Sequence, residues 1–310
     1  MNQTDVYQYL SVKLRMIFQR VPVSLKINEI RLRVGQPVIV ETNEGEMFIS
    51  ETGQPALIGQ AYRVCERDIK ETLEYISNYS LYAYEEELKN GYITIPGGNR
   101  IGICGKAVVD FDGIKTVRNI AFINIRMAHE VVGCSDCYME KLYENNEPCH
   151  ILIISPPCSG KTTLLRDIVR NISDGFASHS GRCVGVVDER SEIAACCYGI
   201  PQNNIGIRTD VMDCCPKAYG MIMLIRSMAP KVIAIDEIGK KEDVEALEYC
   251  VNCGCKMIAT IHAASMEELQ SKPVMEKLLD KNIFQRFIVL SGIPNKGTVT
   301  GIYNGRGELI

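Results

Sequence analysis

Two kinds of hydrophobic pattern follow one another along this chain. Up to about residue 145, apolar and polar positions alternate over short distances. Ile30-Arg31-Leu32-Arg33-Val34 and Val38-Ile39-Val40 flank Gly35-Gln36-Pro37, which predicts two half-buried strands around a turn. From Arg67 to Leu88 the apolar residues Ile69, Leu73, Ile76 and Tyr79 recur at helical spacing, which predicts a helix. A second hairpin is predicted where Tyr92-Ile93-Thr94-Ile95 and Arg100-Ile101-Gly102-Ile103-Cys104 flank Pro96-Gly97-Gly98-Asn99. Together these elements read as a small α+β domain.

From Ile151 the pattern changes to continuous apolar runs, at 151–154, 183–187, 232–235, 257–261 and 287–290, separated by helical stretches. A strand that is apolar on both sides must be covered on both sides. The runs therefore predict a mainly parallel α/β sheet with helices on its two faces. The polar segment 140–150, which contains Pro148, suits a junction. The expected domains are 1–147 and 148–310.

Composition narrows the class. With 310 residues there is room for two domains, and 46% hydrophobic against 23% charged residues is a globular balance. Lys and Arg number 34 against 38 Asp and Glu, a net charge of −4, and neither half carries a basic excess. This argues against direct nucleic-acid binding. No apolar run reaches the ~18–20 residues of a membrane helix, and the start Met1-Asn2-Gln3-Thr4-Asp5 lacks a secretion signal. A cytoplasmic protein without an integral membrane segment is expected. Its 14 cysteines are then expected to be reduced thiols, mainly small apolar fillers.

The run Ile151–Ile154 leads into Ser155-Pro156-Pro157-Cys158-Ser159-Gly160-Lys161-Thr162-Thr163 and an amphipathic stretch from Leu164. Strand, tight loop and helix in that order point backbone N–H groups and a helix N-terminus at one spot. The spacing fits a phosphate loop, with Ser155 in place of the usual first glycine. Lys161 would neutralise the β- and γ-phosphates of ATP, and Thr162 would ligate Mg²⁺. Cys158 lies inside this loop, an electropositive setting for a thiol.

Ligands of parallel sheets bind at the carboxyl ends of the strands, so the polar residues there are the next candidates. Lys231 to Ile235 ends in Asp236-Glu237; Asp236 would hold the Mg²⁺ shell through water and Glu237 would polarise the attacking water. Cys183 to Val187 ends in Asp188-Glu189, and Met257 to Ile261 ends in His262. These three could sense the γ-phosphate or position water, although Asp188 could equally be a helix-capping residue. A hydrolase of this kind also needs a cation at the γ-phosphate, often from a neighbouring subunit. Arg190, Arg208 and Arg226 are the candidates.

The phosphate loop, the Asp188-Glu189 box, the Asp236-Glu237 strand and Thr260-Ile261-His262-Ala263 resemble the secretion-ATPase branch of the RecA-like motors. More specifically, Ile30 to Pro37, Val186 to Ile193, Arg208 to Asp213 and Met223 to Pro230 are similar to the sporulation stage III AA family, over about residues 25–305. The resemblance implies a homo-hexameric, Mg²⁺-dependent ATPase powering a secretion-like channel during endospore formation. Its place would be the mother-cell side, peripheral at the membrane through membrane-protein partners. Where a basic residue is expected near His129, Arg126 becomes the candidate for reaching the nucleotide from the first domain.

Other patterns compete. Cys134/Cys137 and Cys250/Cys253 have the spacing of a metal knuckle, but they fall in different domains. Tyr75, Tyr79 and Tyr82 could stack on bases, yet their i, i+4, i+7 spacing predicts the buried stripe of a helix. Two alternatives to a secretion motor stay open, a RecA-like nucleic-acid motor and a nucleotide-dependent scaffold without turnover.

Overall fold

The computed structural model describes residues 3–80, 84–110, 113–292 and 297–310. The chain forms two compact units, 1–129 and 130–310. The first is built on a seven-stranded antiparallel sheet, ordered Pro55–Ala56, Gly45–Ile49, Ile39–Thr42, Ile27–Arg33, Gly113–Arg126, Asn99–Asp110, Tyr92–Ile95. Both expected hairpins are present, the first turning at Gly35, whose φ of 76° suits glycine. Alternation sends Ile30, Leu32, Ile101, Ile123 and Ile125 into a core shared with helices Val12–Phe18 and Glu66–Ile76. In the first turn of the latter the buried Asp68 carboxylate accepts bonds from the Cys65 N–H, the Ser11 hydroxyl and the Tyr62 hydroxyl at 2.8–2.9 Å.

The helix expected over Arg67 to Leu88 is broken. It stops at Ile76, where the Ser77 N–H donates to Leu73 O and the Tyr79 N–H donates to Glu74 O. Asn78 and Tyr79 take positive φ values of 48° and 62°, so the chain leaves the helical path there. Tyr79 is 70% exposed, which corrects the expectation of a buried tyrosine stripe; Tyr82 lies outside the described residues.

The second unit holds a seven-stranded sheet ordered Thr209–Asp213, Val184–Asp188, Val232–Glu237, Lys256–His262, Ile151–Ser155, Arg286–Leu290, Val299–Asn304. Every pairing is parallel except the last. Successive residues of the apolar runs serve opposite faces. Ile151 and Ile153 pack with Leu165, Ile168 and Ile172 of helix Lys161–Asp174. Leu152 and Ile154 join Met221, Leu247 and Leu278 of helices Lys217–Met228, Lys241–Asn252 and Pro273–Asp280. This is the mainly parallel α/β sheet, preceded by a smaller α+β unit, that the patterns implied, and the RecA-like arrangement that the resemblance implied.

The division falls between His129 and Glu130, earlier than the polar segment at Pro148. Residues 130–147 pack with the second unit because its helix Lys161–Asp174 holds them. The buried Asp167 carboxylate accepts the N–H groups of Gly133 and Ser135 and the Ser135 hydroxyl at 2.7–2.9 Å. Met139 and Leu142 are fully buried in that helix's core. Among the described residues, no helix is long and apolar enough to cross a membrane.

Candidate functional site

Three neighbouring strands end at one place. Ile151–Ser155 is flanked by Lys256–His262, and that strand by Val232–Glu237, with Ser155 opposite His262 and Glu237 opposite Thr260. Beyond Ser155 the chain makes the tight loop and enters helix Lys161–Asp174 through Gly160, whose φ of 82° is left-handed. Cys158 also takes a positive φ, 58°, and is exposed, while Ser159 is buried and its hydroxyl donates to Pro157 O at 3.3 Å. Pro156 and Pro157 carry no N–H, so the donors the loop can offer begin at Cys158. The N–H groups of Cys158, Ser159 and Gly160 donate to no acceptor among the described residues, and the first helical turn adds N–H groups that have no carbonyl of their own.

Three side chains converge on this mouth. Lys161 Nζ lies 3.0 Å from His262 Nε2 and 3.7 Å from Glu237 Oε2, and those two atoms are 3.2 Å apart. The Lys161 side chain is 9% exposed against 37% for Glu237 and 32% for His262, so the ammonium sits deepest. One ring nitrogen cannot accept from the ammonium and donate to the carboxylate at once. His262 Nδ1, 3.4 Å from Ser155 O, sets the balance: with its proton there, Nε2 accepts from Lys161. Asp236 is steadied by Thr260, whose hydroxyl donates to Oδ1 at 3.0 Å. Thr162 and Thr163 are half-buried in the first helical turn.

The remaining candidates have other attachments. Asp188 is 1% exposed, and its carboxylate accepts the N–H groups of Glu192, Ile193 and Ala194 at 2.8–2.9 Å, so it shapes the following loop. Burial, against those bonds, pushes its pKa up to about 6. Glu189 forms an ion pair with Lys217. Arg208 donates to Ser173 O at 2.9 Å and Asp174 O at 3.4 Å. It thus caps the far end of the 14-residue helix that starts at Lys161, ~20 Å away at 1.5 Å per residue. Arg226 is exposed on helix Lys217–Met228. Arg126 belongs to the first unit, with Nε 3.3 Å from Glu29 Oε2, and His129 Nε2 lies 3.0 Å from Asn28 Oδ1.

Arg166 was not singled out by motif. From the helix behind the loop it donates to Ile193 O at 2.6 Å and Glu192 O at 2.7 Å, tying the Asp188 loop to the phosphate-loop helix. No motif in the sequence marks it, since Arg166-Asp167 reads as an ordinary charged pair on an amphipathic helix. The cysteines also differ from expectation: five are buried, two half-buried and seven exposed, so most are not core fillers. All are free thiols, and among the described residues no group of three or more His, Cys, Asp or Glu side chains is placed to hold a metal ion.

A parallel sheet whose first strand feeds a phosphate-type loop, with acidic and histidine-bearing strand ends beside it, has the fold of the RecA-like secretion ATPases. Two solved structures share that fold. The chain is similar to the ATPase DotB of Legionella pneumophila, with a TM-score of 0.60 and 16% identity over 94% of this chain and 80% of that one. It is also similar to the pilus retraction motor PilT with bound ADP, with a TM-score of 0.56 and 13% identity over 93% and 80%. The chain belongs to the sporulation stage III, protein AA family, which it matches over residues 1–310. It is 41% identical over 286 residues to stage III sporulation protein AA of Bacillus subtilis (strain 168), covering 92% of this chain and 89% of that one.

Proposed function

We propose that the chain is a Mg²⁺-dependent ATPase that works as a ring, six copies by family resemblance, and drives a membrane-embedded secretion-like channel during endospore formation. The observation that carries the ATPase reading is the convergence of Lys161, Glu237 and His262 at the open end of the phosphate-type loop. The residues fit a nucleotide: a buried ammonium now balanced by one carboxylate, N–H donors with no acceptor among the described residues, and two threonine hydroxyls in the first turn.

In this reading ATP displaces Glu237 and His262 as the partners of Lys161, which stays on the β- and γ-phosphates. The backbone from Cys158 to Thr163, with Ser155, Pro156 and Pro157 forming the turn, wraps the phosphates. Thr162, and Asp236 held by Thr260, would take the metal, which when bound neutralises charge on the phosphate oxygens. Glu237, released from the lysine, accepts the proton of the attacking water. His262, no longer accepting from Lys161, is left beside the γ-phosphate to register its loss. Arg226 is the proposed cation from a neighbouring copy. Asp188 and Glu189 act through the loop they anchor.

Glu237→Gln tests the assignment. It should keep ATP binding and lower turnover by about a hundred-fold or more; unchanged turnover would move the base to Glu189.

A further inference from the structure

In the first unit the hairpin of Asn99–Asp110 and Gly113–Arg126 outruns the sheet it belongs to. Its neighbours stop short: Tyr92–Ile95 pairs with residues 99–102 and Ile27–Arg33 with residues 122–126. Residues 106–118 are therefore a two-stranded ribbon whose outer edges meet no other strand among the described residues. At Gly105, where the ribbon begins, the pairing register slips and a Cβ would lie 2.6 Å from Arg118 O, so the slip requires glycine. Cross-strand pairing puts Ala107 with Val117 and Val109 with Ile114 on one face, and Lys106 with Arg118 on the other. The apolar face is uncovered, with Val109 69% and Ile114 49% exposed. A ribbon of two strands is marginally stable by itself, so both its edge and its apolar face stand to gain from a partner.

The other end of the same sheet has the complementary features. Gly45–Ile49 pairs along one side with Ile39–Thr42, but Pro55–Ala56 covers its outer side at Phe48 and Ile49 alone. Residues 45–47 are thus an open edge. Just beyond Pro55–Ala56, Leu57 and Ile58 are 76% and 60% exposed. Charge matches as well. Residues 43–60 hold Glu44, Glu46 and Glu51 and no basic residue, whereas residues 105–119 hold Lys106, Lys115 and Arg118 against Asp110 and Asp112. The ribbon strand 113–118 carries Lys115 and Arg118 and no acid. Among the described residues Glu51 pairs with Lys13, while Glu44, Glu46, Lys106, Lys115 and Arg118 have no ion-pair partner.

We propose that the ribbon of one copy docks on the first unit of a second copy, residues 113–118 adding as a strand to the open edge at residues 45–47. Lys115 and Arg118 then lie beside Glu44 and Glu46, and Val109 and Ile114 cover Leu57 and Ile58. Main-chain bonds supply affinity, and the two glutamates reject another acidic edge while admitting a basic strand. In a single chain the two surfaces are held apart, because Ile39–Thr42 and Ile27–Arg33 lie between them in the sheet. The contact is head-to-tail, each copy using both surfaces, which is the kind that closes into rings. It rests on the reading of the chain as a ring and names where the first units meet.

Sedimentation velocity of the full chain with ATP, over a concentration series, tests it. Wild type should assemble. The charge reversals Lys115→Glu with Arg118→Glu, and separately Glu44→Lys with Glu46→Lys, should each raise the concentration needed for assembly about ten-fold or more. An equimolar mixture of the two reversed chains should assemble as wild type does, because each reversed surface then meets a reversed complement. Ile114→Ser with Leu57→Ser, which leaves every charge in place, should also weaken assembly. All these positions are exposed, so unfolding midpoints should match wild type and separate lost assembly from lost fold. Reversed chains that assemble like wild type, or a mixture as dispersed as its components, would overturn the contact and leave the ring reading standing. A wild-type chain that stays monomeric at every concentration would remove the ring reading and the contact with it.

Discussion

Asp188 and Cys158 define what single residues contribute at the mouth of the sheet. The Asp188 carboxylate is buried and raised to about 6 from an ordinary 3.8, mainly by burial and in part by the nearby Asp213, while three backbone N–H bonds pull it down. An acid whose pKa is higher in the folded chain favours folding in its protonated form. Its contribution is therefore fully present below about pH 4 and is lost as the pH rises through about 6, a change on the order of 3 kcal/mol. Urea unfolding of wild type and Asp188→Asn between pH 4 and 8 isolates it: wild type should lose stability relative to the variant across that window. A difference that is flat or of opposite sign would show that the N–H bonds outweigh burial. At Cys158 the thiol is exposed inside the loop, so alkylation should block nucleotide binding and ATP should slow the alkylation; modification at the same rate with and without ATP would count against the loop as the nucleotide site. These two residues also mark where sequence was legible. Lys161, Glu237 and His262 could be placed because strand ends and the loop fix their position along the chain. The occupation of Asp188 and Arg208 could not, because it depends on which backbone groups their side chains meet after folding.

At the scale of elements, the parallel sheet was readable where strands are covered on both faces. Its five central members show as unbroken apolar runs. The two edge strands, Thr209–Asp213 and Val299–Asn304, were not read as strands, since an edge strand carries polar residues and loses the signal. The broken helix after Ile76 was hidden for the opposite reason: apolar spacing continues through Tyr79 although the backbone does not. Packing between elements is close where helix Lys217–Met228 crosses strand Val184–Asp188. A Cβ on Gly220 would lie 2.5 Å from Val187 Cγ1 and 3.3 Å from Cys215 Sγ, and Val187 is stiff and fully buried. Gly220→Val should therefore cost about 1–3 kcal/mol by overpacking, more than the few tenths valine gains over glycine as a helix former. The urea midpoint should fall with an unchanged m-value; an unchanged midpoint would mean that the helix can move outward freely.

For the molecule as a whole, the arrangement of cations decides whether one chain can be a complete catalyst. Lys161 is the cation at the mouth, and transfer of a phosphoryl group to water needs a further positive charge on the transferring oxygens. Within the second unit Arg208 is committed to a helix end and Arg166 to two loop carbonyls. Arg226 stays exposed on an outer helix whose Tyr219 and Met223 are also 75% and 55% exposed, a surface suited to contact another copy. If Arg226 completes a neighbour's site, turnover per chain should rise with protein concentration in step with oligomer size, and Arg226→Ala should lower it by about a thousand-fold while leaving ATP affinity within a few-fold. The decisive measurement mixes two inactive variants. A chain carrying Glu237→Gln still offers Arg226, and a chain carrying Arg226→Ala still offers Glu237, so mixed rings should regain a measurable part of the wild-type rate. Full turnover in a dilute, monomeric sample, or no recovery in mixtures shown to co-assemble, would place the missing charge within the chain itself.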